Sequence, residues 1–217
     1  MGPFARPVIQ AAYDAVASDY AREFGDDLTR LPVDREFLDA VALGSASGIL
    51  ADLGCGPAVM GSYLADTGRT VVGLDLSPAM LAVAARRDER LLLLQGDLAR
   101  LPIADGSCAG GVAYYCIQHL PRAELPHVLA ELRRTIAPDG LAALATHLGV
   151  GEVVTSDFLG HRITPAGGTL YSEAELEAAV RAAGFAIERS RRRHPLPNEH
   201  ATERLYLLLR KSAQSEP

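Results

Sequence analysis

Residues 49–58, ILADLGCGPA, followed by residues 71–75, VVGLD, decide the fold of this chain. A short apolar run that ends in the closely spaced Gly54 and Gly56 predicts a β-strand leading into a tight turn. Glycine lets the backbone approach a ligand, and the helix that follows offers free N–H groups to it. The second apolar run ends in Asp75, about 20 residues after Gly54, the spacing at which a carboxylate reaches the ribose hydroxyls of an adenosine-containing cofactor. The sequence therefore predicts a nucleoside-binding α/β site.

The glycine turn also separates classes of nucleoside ligand. A dinucleotide fingerprint has a third glycine three residues after the second, where this chain has Val59. Asp52, at the base of the turn, would repel a pyrophosphate but suits an ammonium group. A third strand-like run, residues 91–98, contains Asp97 as a candidate acceptor for the adenine amine and Leu98 as a backbone donor to the ring. Polar turns after three successive strands indicate a zwitterionic nucleoside without phosphate, and S-adenosylmethionine fits that description.

Four motifs together make the chain resemble the class I S-adenosylmethionine-dependent methyltransferases, and within them the small-molecule branch with the ubiquinone- and menaquinone-biosynthesis enzymes. The resemblance extends from Tyr13 to Arg210. The family usually has glycine where this chain has Ala58, so we expect a slightly restricted loop and an effect on cofactor affinity. The motifs are DLGCGPA (52–58), VVGLDLSPAML (71–81), LLQGDLARLP (93–102) and YYCIQHLP (114–121).

The alternation of strands and helices predicts a Rossmann-like, doubly wound α/β fold with the ligand at the carboxyl ends of the strands. The last two strands have no helix between them and should form an antiparallel edge hairpin; the resemblance implies seven strands with the last one antiparallel. An amphipathic first helix, Val8–Phe24, should form an N-terminal helical lid. The predicted strands are residues 49–53, 70–74, 91–95, 110–116, 141–147, 185–192 and 204–210.

We expect a single methyltransferase domain over residues 1–217. The segment between the fifth strand and the following helix has five glycines but no clear period, and loops of this length are usually lids or binding loops. The expected parts are an N-terminal cap (1–44), a cofactor-binding core (45–148), a substrate lid loop (149–170) and a C-terminal helix with hairpin (171–211).

The amino-acid composition limits the kinds of partner that we expect for this protein. The net charge of −6 and the pI near 5.5 argue against a general nucleic-acid binder. No apolar run approaches the roughly 20 residues of a membrane span, and the N-terminus lacks a signal-peptide core, so we expect a cytoplasmic protein without a membrane partner. Three cysteines without CxxC spacing predict neither a disulfide framework nor a zinc site. The expected partner is a small-molecule methyl acceptor, and the expected assembly is a monomer or a homodimer.

The motifs and the resemblance predict a set of residues that contact the cofactor. For some of these residues a purely structural role explains the sequence equally well. Asp52 would hold the methionine ammonium through water or only pin the glycine loop. Met80 would contact the adenine or simply fill the core, and Tyr13 and Tyr20 would close over the cofactor or be ordinary core aromatics. The candidate cofactor-binding residues are Tyr13, Tyr20, Asp52, Gly54, Gly56, Asp75, Leu76, Met80, Gly96, Asp97, Leu98 and Tyr114.

The acceptor side is less defined by sequence. Tyr114 and Tyr115 end the fourth predicted strand, where alternation should turn one towards the ligand and the other away. His147 ends the fifth strand and is a candidate base or substrate contact. His119 is a second catalytic candidate, although packing at a helix start explains it equally well. The candidate substrate-binding residues are Tyr115, Gln118 and His147.

Two further groups of residues have a plainer explanation than chemistry. His161, His194 and His200, with Glu199, show no compact metal-ligand spacing, so we predict no metal. The arginines at 189 and 191–193 would attract a substrate carboxylate or, as is commoner, form the solvated face of an edge strand.

The predicted activity is direct in-line methyl transfer from S-adenosylmethionine to a small organic metabolite, with the protein supplying proximity and alignment. A histidine base would help only an acceptor that carries a proton of high pKa. One alternative is a non-methylating cyclase or isomerase that keeps the cofactor as structure. The other is a binding module that senses the cofactor.

Overall fold

A computed structural model describes residues 2–25, 27–197 and 199–212, without the side chains of residues 27 and 30. Its α-helices are α1 (Arg6–Phe24), α2 (Asp27–Arg30), α3 (Pro32–Gly44), α4 (Val59–Asp66), α5 (Pro78–Arg87), α6 (Leu125–Thr135) and α7 (Glu173–Ala182). Its strands are β1 (Ile49–Leu53), β2 (Thr70–Asp75), β3 (Leu92–Gln95), β4 (Cys108–Tyr114), β5 (Ile136–His147), β6 (Glu152–Phe158), β7 (His161–Thr169), β8 (Phe185–Arg193) and β9 (Arg204–Lys211). Short 3-10 helices at Ile117–His119 and Arg122–Glu124 connect β4 to α6.

Seven strands form the main sheet in the order β3-β2-β1-β4-β5-β9-β8. Strands β1 to β5 pair in parallel, whereas β9 runs antiparallel to both of its neighbours, β5 and β8. The predicted mostly parallel, Rossmann-like sheet is confirmed, and the last strand lies inside the sheet with β8 at the edge. Because the chain winds outward in opposite directions from β1 and from β4, a crevice opens between their carboxyl ends.

The two faces of the sheet carry separate hydrophobic clusters. Along β1, Ala51 and Leu53 face the cluster built with α6 and α7, whereas Leu50 faces the cluster built with α3 and α4. Strand β4 is buried at every position because helices cover it on both sides. The sheet is therefore a fixed frame, and its strand ends are the fixed points of the crevice.

Two serine side chains cap the starts of helices. The Ser77 hydroxyl accepts the N–H of Met80 at 3.1 Å, with Pro78 in the first turn of α5. The Ser172 hydroxyl accepts the N–H of Glu175 at 3.2 Å at the start of α7. No helix in residues 2–25, 27–197 and 199–212 has the length and apolar character to cross a membrane.

The segment 149–170 corrects a prediction, because it is not an irregular loop. Strands β6 and β7 pair there as a two-stranded antiparallel sheet outside the main one. No alternation of apolar residues reveals β6, since six of its seven residues are exposed on both faces. The backbone N–H of Gly167 donates to Pro3 at 2.8 Å and the Phe4 ring lies against this glycine, where a Cβ would be 2.7 Å from the ring. The hairpin thus packs on the N-terminal segment and covers the crevice with α1.

Candidate active site

A cavity of about 950 Å³ occupies the crevice at the carboxyl ends of β1, β2, β4 and β5. Helix α1, the β6–β7 hairpin and the connection between β8 and β9 enclose it. Every candidate site residue from the sequence lines this cavity. The tertiary structure therefore brings the whole predicted set together, and its individual ligand contacts stay predictions.

The glycine turn shapes the cavity floor. Gly54 has φ +70°, and a Cβ placed on it would lie 2.4 Å from Cβ of Cys116. Gly56 has φ +51° and no atom within 4 Å of the corresponding position. The first glycine therefore permits close packing of the turn, and the second leaves open space in the cavity that a ligand can fill.

Ala58, where the family usually has glycine, adopts a strained backbone conformation. It is fully buried at the N-cap of α4 with φ +59°, in the left-handed region. An L-residue in that region costs about 1 kcal/mol, which glycine would avoid. The family's glycine therefore has a backbone reason, and the alanine keeps the same loop conformation at the expense of strain.

Asp75 joins the glycine turn to the end of β2. One carboxylate oxygen, Oδ2, accepts the N–H of Gly56 at 2.7 Å, and Oδ1 accepts the N–H of Ser77 at 2.8 Å. Burial raises the pKa of Asp75, while these N–H groups act in the opposite direction. Each oxygen keeps a second lone pair, so the carboxylate is held in place and can still accept two hydroxyls of a ribose.

Asp52 brings a buried carboxylate to the wall of the cavity. It is 2% exposed, and its Oδ2 is buried without a hydrogen-bond partner among the described residues. Burial raises the pKa of Asp52 to about 7, and the charge of Asp75 adds to the effect, while an N–H of Gly61 opposes it. A buried carboxylate oxygen without a donor fits an ammonium group, so the cavity suits the amino-acid end of S-adenosylmethionine.

The predicted adenine acceptor has a protein partner that sequence reasoning missed. Oδ1 of Asp97 accepts the N–H of Ala99 at 2.9 Å, and Oδ2 accepts Nε of Arg6 at 2.7 Å. Arg6 also pairs with Glu124, so the start of α1 is anchored over this end of the cavity. No local signal identifies Arg6, because its partners lie far away in sequence and meet it only after α1 packs.

The aromatic residues of α1 form a cover together with the hairpin. The Tyr13 ring lies 5.9 Å from that of Tyr20 and 5.6 Å from that of Phe158 in β6, measured between centroids. The Tyr13 hydroxyl is 2.6 Å from Nε2 of His119. Tyr20 also lies against Phe158. The sequence predicts the two tyrosines of this cover, but Phe158 enters it only through the hairpin.

His119 is held on both sides of its ring. Nε2 contacts Tyr13, and Nδ1 lies 3.4 Å from the carbonyl oxygen of Gly167. Burial lowers the pKa of His119 to about 4, so the ring is neutral near pH 7. Because both nitrogens have protein partners, the geometry favours the packing role of His119 over catalysis.

Tyr114 and Tyr115 correct a second prediction, since both line the cavity. Strand β4 ends at Tyr114, two residues earlier than expected, and Tyr115 has φ +51°. The alternation of side chains applies only within a strand, and the left-handed residue reverses the direction of its side chain. Tyr114 donates to the backbone oxygen of Asp34 at 3.3 Å, and the Tyr115 hydroxyl lies 2.6 Å from that of Tyr206.

His147 lies at the far end of the cavity from Asp97. Its Nδ1 is 2.6 Å from Oγ1 of Thr202, and its ring lies 5.4 Å from that of Tyr115 and 6.0 Å from that of His200. Burial lowers the pKa of His147 to about 4, and the charge of Arg204 adds to this. The imidazole is therefore neutral near pH 7 and able to accept a proton.

Gln118 and Arg193 complete this end of the cavity. The Gln118 amide donates to the Tyr115 carbonyl oxygen at 2.7 Å. Arg193 makes two hydrogen bonds to the carboxylate of Glu199, at 2.7 and 2.8 Å. The Arg193 side chain is only 12% exposed, so it is not part of a solvated face. The other three arginines of the run pair with glutamates at the surface, as the solvated-face interpretation expects.

The remaining histidines and cysteines do not enlarge the site. His161 pairs with Asp19 of α1 at 2.6 Å, and His194 lies 3.2 Å from Glu203. Within the described ranges no group of three or more His, Cys, Asp or Glu side chains could hold a metal ion. All three cysteines are buried and unpaired, as expected for small core residues.

Comparison with known proteins agrees with this geometry. Residues 50–140 match the family model of the methyltransferase domain. The chain is 39% identical over 98 residues to the malonyl-[acyl-carrier protein] O-methyltransferase of Pectobacterium atrosepticum, covering 44% of this chain and 37% of the relative. It is 32% identical over 140 residues to the demethylmenaquinone methyltransferase of Beutenbergia cavernae, covering 63% of this chain and 57% of the relative. The chain thus spans less than two thirds of either curated relative.

A solved structure gives the same fold over nearly the whole chain. The 1,6-didemethyltoxoflavin-N1-methyltransferase of Burkholderia thailandensis, with S-adenosylhomocysteine bound, superimposes with a TM-score of 0.68 at 22% identity, covering 98% of this chain and 93% of that one. The motifs, the sheet order and the matched domain all lead to one assignment. Residues 50–140 belong to the methyltransferase domain family, and the chain as a whole resembles the class I S-adenosylmethionine-dependent methyltransferases.

Proposed function

We propose that the protein transfers a methyl group from S-adenosylmethionine to a small organic acceptor. One observation carries the proposal: a continuous cavity has three carboxylates suited to an adenosine and an ammonium group at one end and a neutral imidazole at the other. The carboxylates are Asp52, Asp75 and Asp97, and the imidazole is that of His147. The two curated relatives reported above carry methyltransferase names, and neither name indicates a cyclase or a sensor.

Each residue of the cavity has a role that follows from its position. Asp75 binds the ribose hydroxyls, Asp97 binds the adenine amine, and Asp52 binds the ammonium group. When bound, S-adenosylmethionine supplies a sulfonium methyl group that is open to in-line displacement. Tyr13 and its aromatic neighbours exclude water, and His147 faces the acceptor. Catalysis then depends mainly on alignment of the two reactants within one enclosed space.

The proposed acceptor is a metabolite and not a nucleic acid. The net charge of −6 disfavours long-range attraction of a polyanion. The acceptor end is enclosed by the hairpin and by the connection between β8 and β9, which leaves room for a small molecule. We propose a protein that acts in the cytoplasm, without a membrane partner, as a monomer or a homodimer.

Calorimetry with S-adenosylhomocysteine tests the cofactor part. We expect Asp75→Asn to weaken binding by about 100-fold, because two charge-assisted hydrogen bonds are lost at about 1.5 kcal/mol each. The matched control is Asp66→Asn, which removes the same charge from an exposed position of α4 and should leave binding unchanged. Absence of binding heat for both S-adenosylmethionine and S-adenosylhomocysteine on folded protein would contradict the proposal.

Methyl transfer itself needs a second experiment. Incubation with methyl-labelled S-adenosylmethionine and a metabolite extract should place the label in a small product. A protein that binds the cofactor but transfers no label would instead fit the sensing or cyclase alternatives.

A further inference from the structure

Thr202 is the partner that decides how His147 presents its ring to the cavity. Its hydroxyl lies 2.6 Å from Nδ1 of His147, although the two residues are 55 positions apart. The antiparallel ladder pairs His147 with Arg204, and the N–H of Leu148 donates to the backbone oxygen of Glu203 at 2.8 Å. The backbone on both sides of the contact is therefore fixed by the sheet.

A buried arginine, paired with a partly exposed glutamate, fixes the backbone around Thr202. Arg204 is 3% exposed, and its Nη1 donates to the backbone oxygens of Thr202 and of His200, the latter at 2.7 Å, and lies 3.5 Å from Oγ1 of Thr202. Its Nη2 lies 3.5 Å from Glu199, whose carboxylate is shared with Arg193. The connection before β9 is thereby tied at several points, so the Thr202 hydroxyl has a defined position.

His119 and His147 differ in whether both nitrogens of the imidazole ring have a protein partner. Both nitrogens of His119 have protein partners, at Tyr13 and Gly167. For His147, Nδ1 contacts Thr202, and no residue in the described ranges hydrogen-bonds to Nε2. Since Nε2 lies on the opposite edge of the ring from Nδ1, His147 can offer this nitrogen to a ligand.

The surroundings keep His147 uncharged. Burial is the main reason for its low pKa; the positive charge of Arg204 and the neighbouring His200 and His119 act in the same direction, and Glu199 opposes them. The titratable and charged groups that face His147 are Arg204 in β9, His200 and Glu199 in the preceding connection, His119 after β4, and Tyr115.

We infer that Thr202 is a positioning residue that accepts the Nδ1–H of His147 and so presents the Nε2 lone pair to the acceptor. The inference rests on the proposed function and assigns the acceptor a class: its reacting oxygen or nitrogen carries a proton at neutral pH, as in a phenol, an enol or an N–H group. The acceptor atom forms the bond to the methyl carbon, and the carbon–sulfur bond breaks with its electron pair left on sulfur. The acceptor's proton moves to Nε2 of His147.

The test is side-chain ¹⁵N NMR on the full chain, with His147 signals assigned through a His147→Gln variant. The wild-type protein should show His147 as the Nδ1–H tautomer from pH 6 to 8. Thr202→Ser keeps the hydroxyl and should preserve this tautomer, whereas Thr202→Val should shift His147 towards the Nε2–H form. A wild-type Nε2–H tautomer overturns the inference whether or not any variant folds, and so does a Thr202→Val spectrum that matches the wild type.

Calorimetry with S-adenosylhomocysteine separates this inference from the proposed function. The affinity should stay within about twofold of the wild type in both Thr202 variants, because the residue lies at the acceptor end. Loss of all cofactor binding in the wild type would contradict the proposed function. A wild-type Nε2–H tautomer with intact cofactor binding would contradict only the inference about Thr202.

Discussion

The two ends of the cavity are built in different ways. At the cofactor end, backbone N–H groups of Gly56 and Ser77 hold Asp75 and that of Ala99 holds Asp97, while Arg6 reaches Asp97 from α1. At the acceptor end, side chains bond to side chains across long separations, as in the contacts of His147 with Thr202 and of Tyr115 with Tyr206. The first end therefore follows mainly from a contiguous sequence pattern, and the second follows from which segments the fold brings together.

The difference fits the division of labour that we propose. A turn held by backbone geometry suits a constant cofactor, because few side chains can vary without disturbing it. An end built from the hairpin and from the β8–β9 connection can accommodate different acceptors without touching the turn. Substitutions can therefore show whether the two ends are independent.

The largest effect should come from alanine at the two glycines of the turn. Gly54→Ala should lower the free energy of unfolding by about 3 kcal/mol, since left-handed strain adds to the overlap with Cys116. Gly56→Ala is the matched variant: it carries similar strain without overlap and should cost only about 1 kcal/mol. Because its Cβ enters the open floor of the cavity, Gly56→Ala should nevertheless weaken S-adenosylhomocysteine binding. Urea denaturation and calorimetry measure both effects, and equal losses of stability would refute this account of the turn.

Replacement of Asp52 should have a smaller effect on the free energy of unfolding. Its pKa of about 7 in the folded protein lies above the ordinary 3.8, so the folded state binds more protons between these values and loses stability as the pH rises. Asp52→Asn should therefore stabilise the ligand-free protein by about 2 kcal/mol at pH 8 and much less near pH 4. Wild-type affinity for S-adenosylhomocysteine should increase as the pH rises through 7, and the variant should lose that dependence. A flat wild-type profile would show that Asp52 only pins the loop.

The smallest effect tests the acceptor end. Tyr115→Phe removes the hydroxyl that lies 2.6 Å from Tyr206, which keeps its bond to Asp34 at 3.0 Å. We expect a loss of about 1 kcal/mol in the free energy of unfolding and no change in cofactor affinity. Tyr63→Phe, which removes a more exposed hydroxyl bonded to Asp39 at 2.8 Å, is the control and should cost less. A large fall in cofactor affinity for Tyr115→Phe would mean that the two ends are coupled.

Sequence reasoning succeeds where short-range patterns specify the structure. It predicts the parallel sheet and the glycine turn with Asp75 at the end of the following strand. It fails at the β6–β7 hairpin, because exposure on both faces removes the alternation that identifies a strand. It also fails at Tyr115, because nothing in the sequence marks a left-handed tyrosine at the end of β4.

The sequence by itself determined the family resemblance, the order of the motifs and the carboxylates of the cofactor end, because a turn and its flanking strands are specified by neighbouring residues. Only the tertiary structure decided that Arg6 meets Asp97, that His119 is occupied on both nitrogens, and that Thr202 meets His147. These contacts join residues separated by 48 to 106 positions. No local preference encodes such distances, and they form only when helices, hairpin and sheet pack around one cavity.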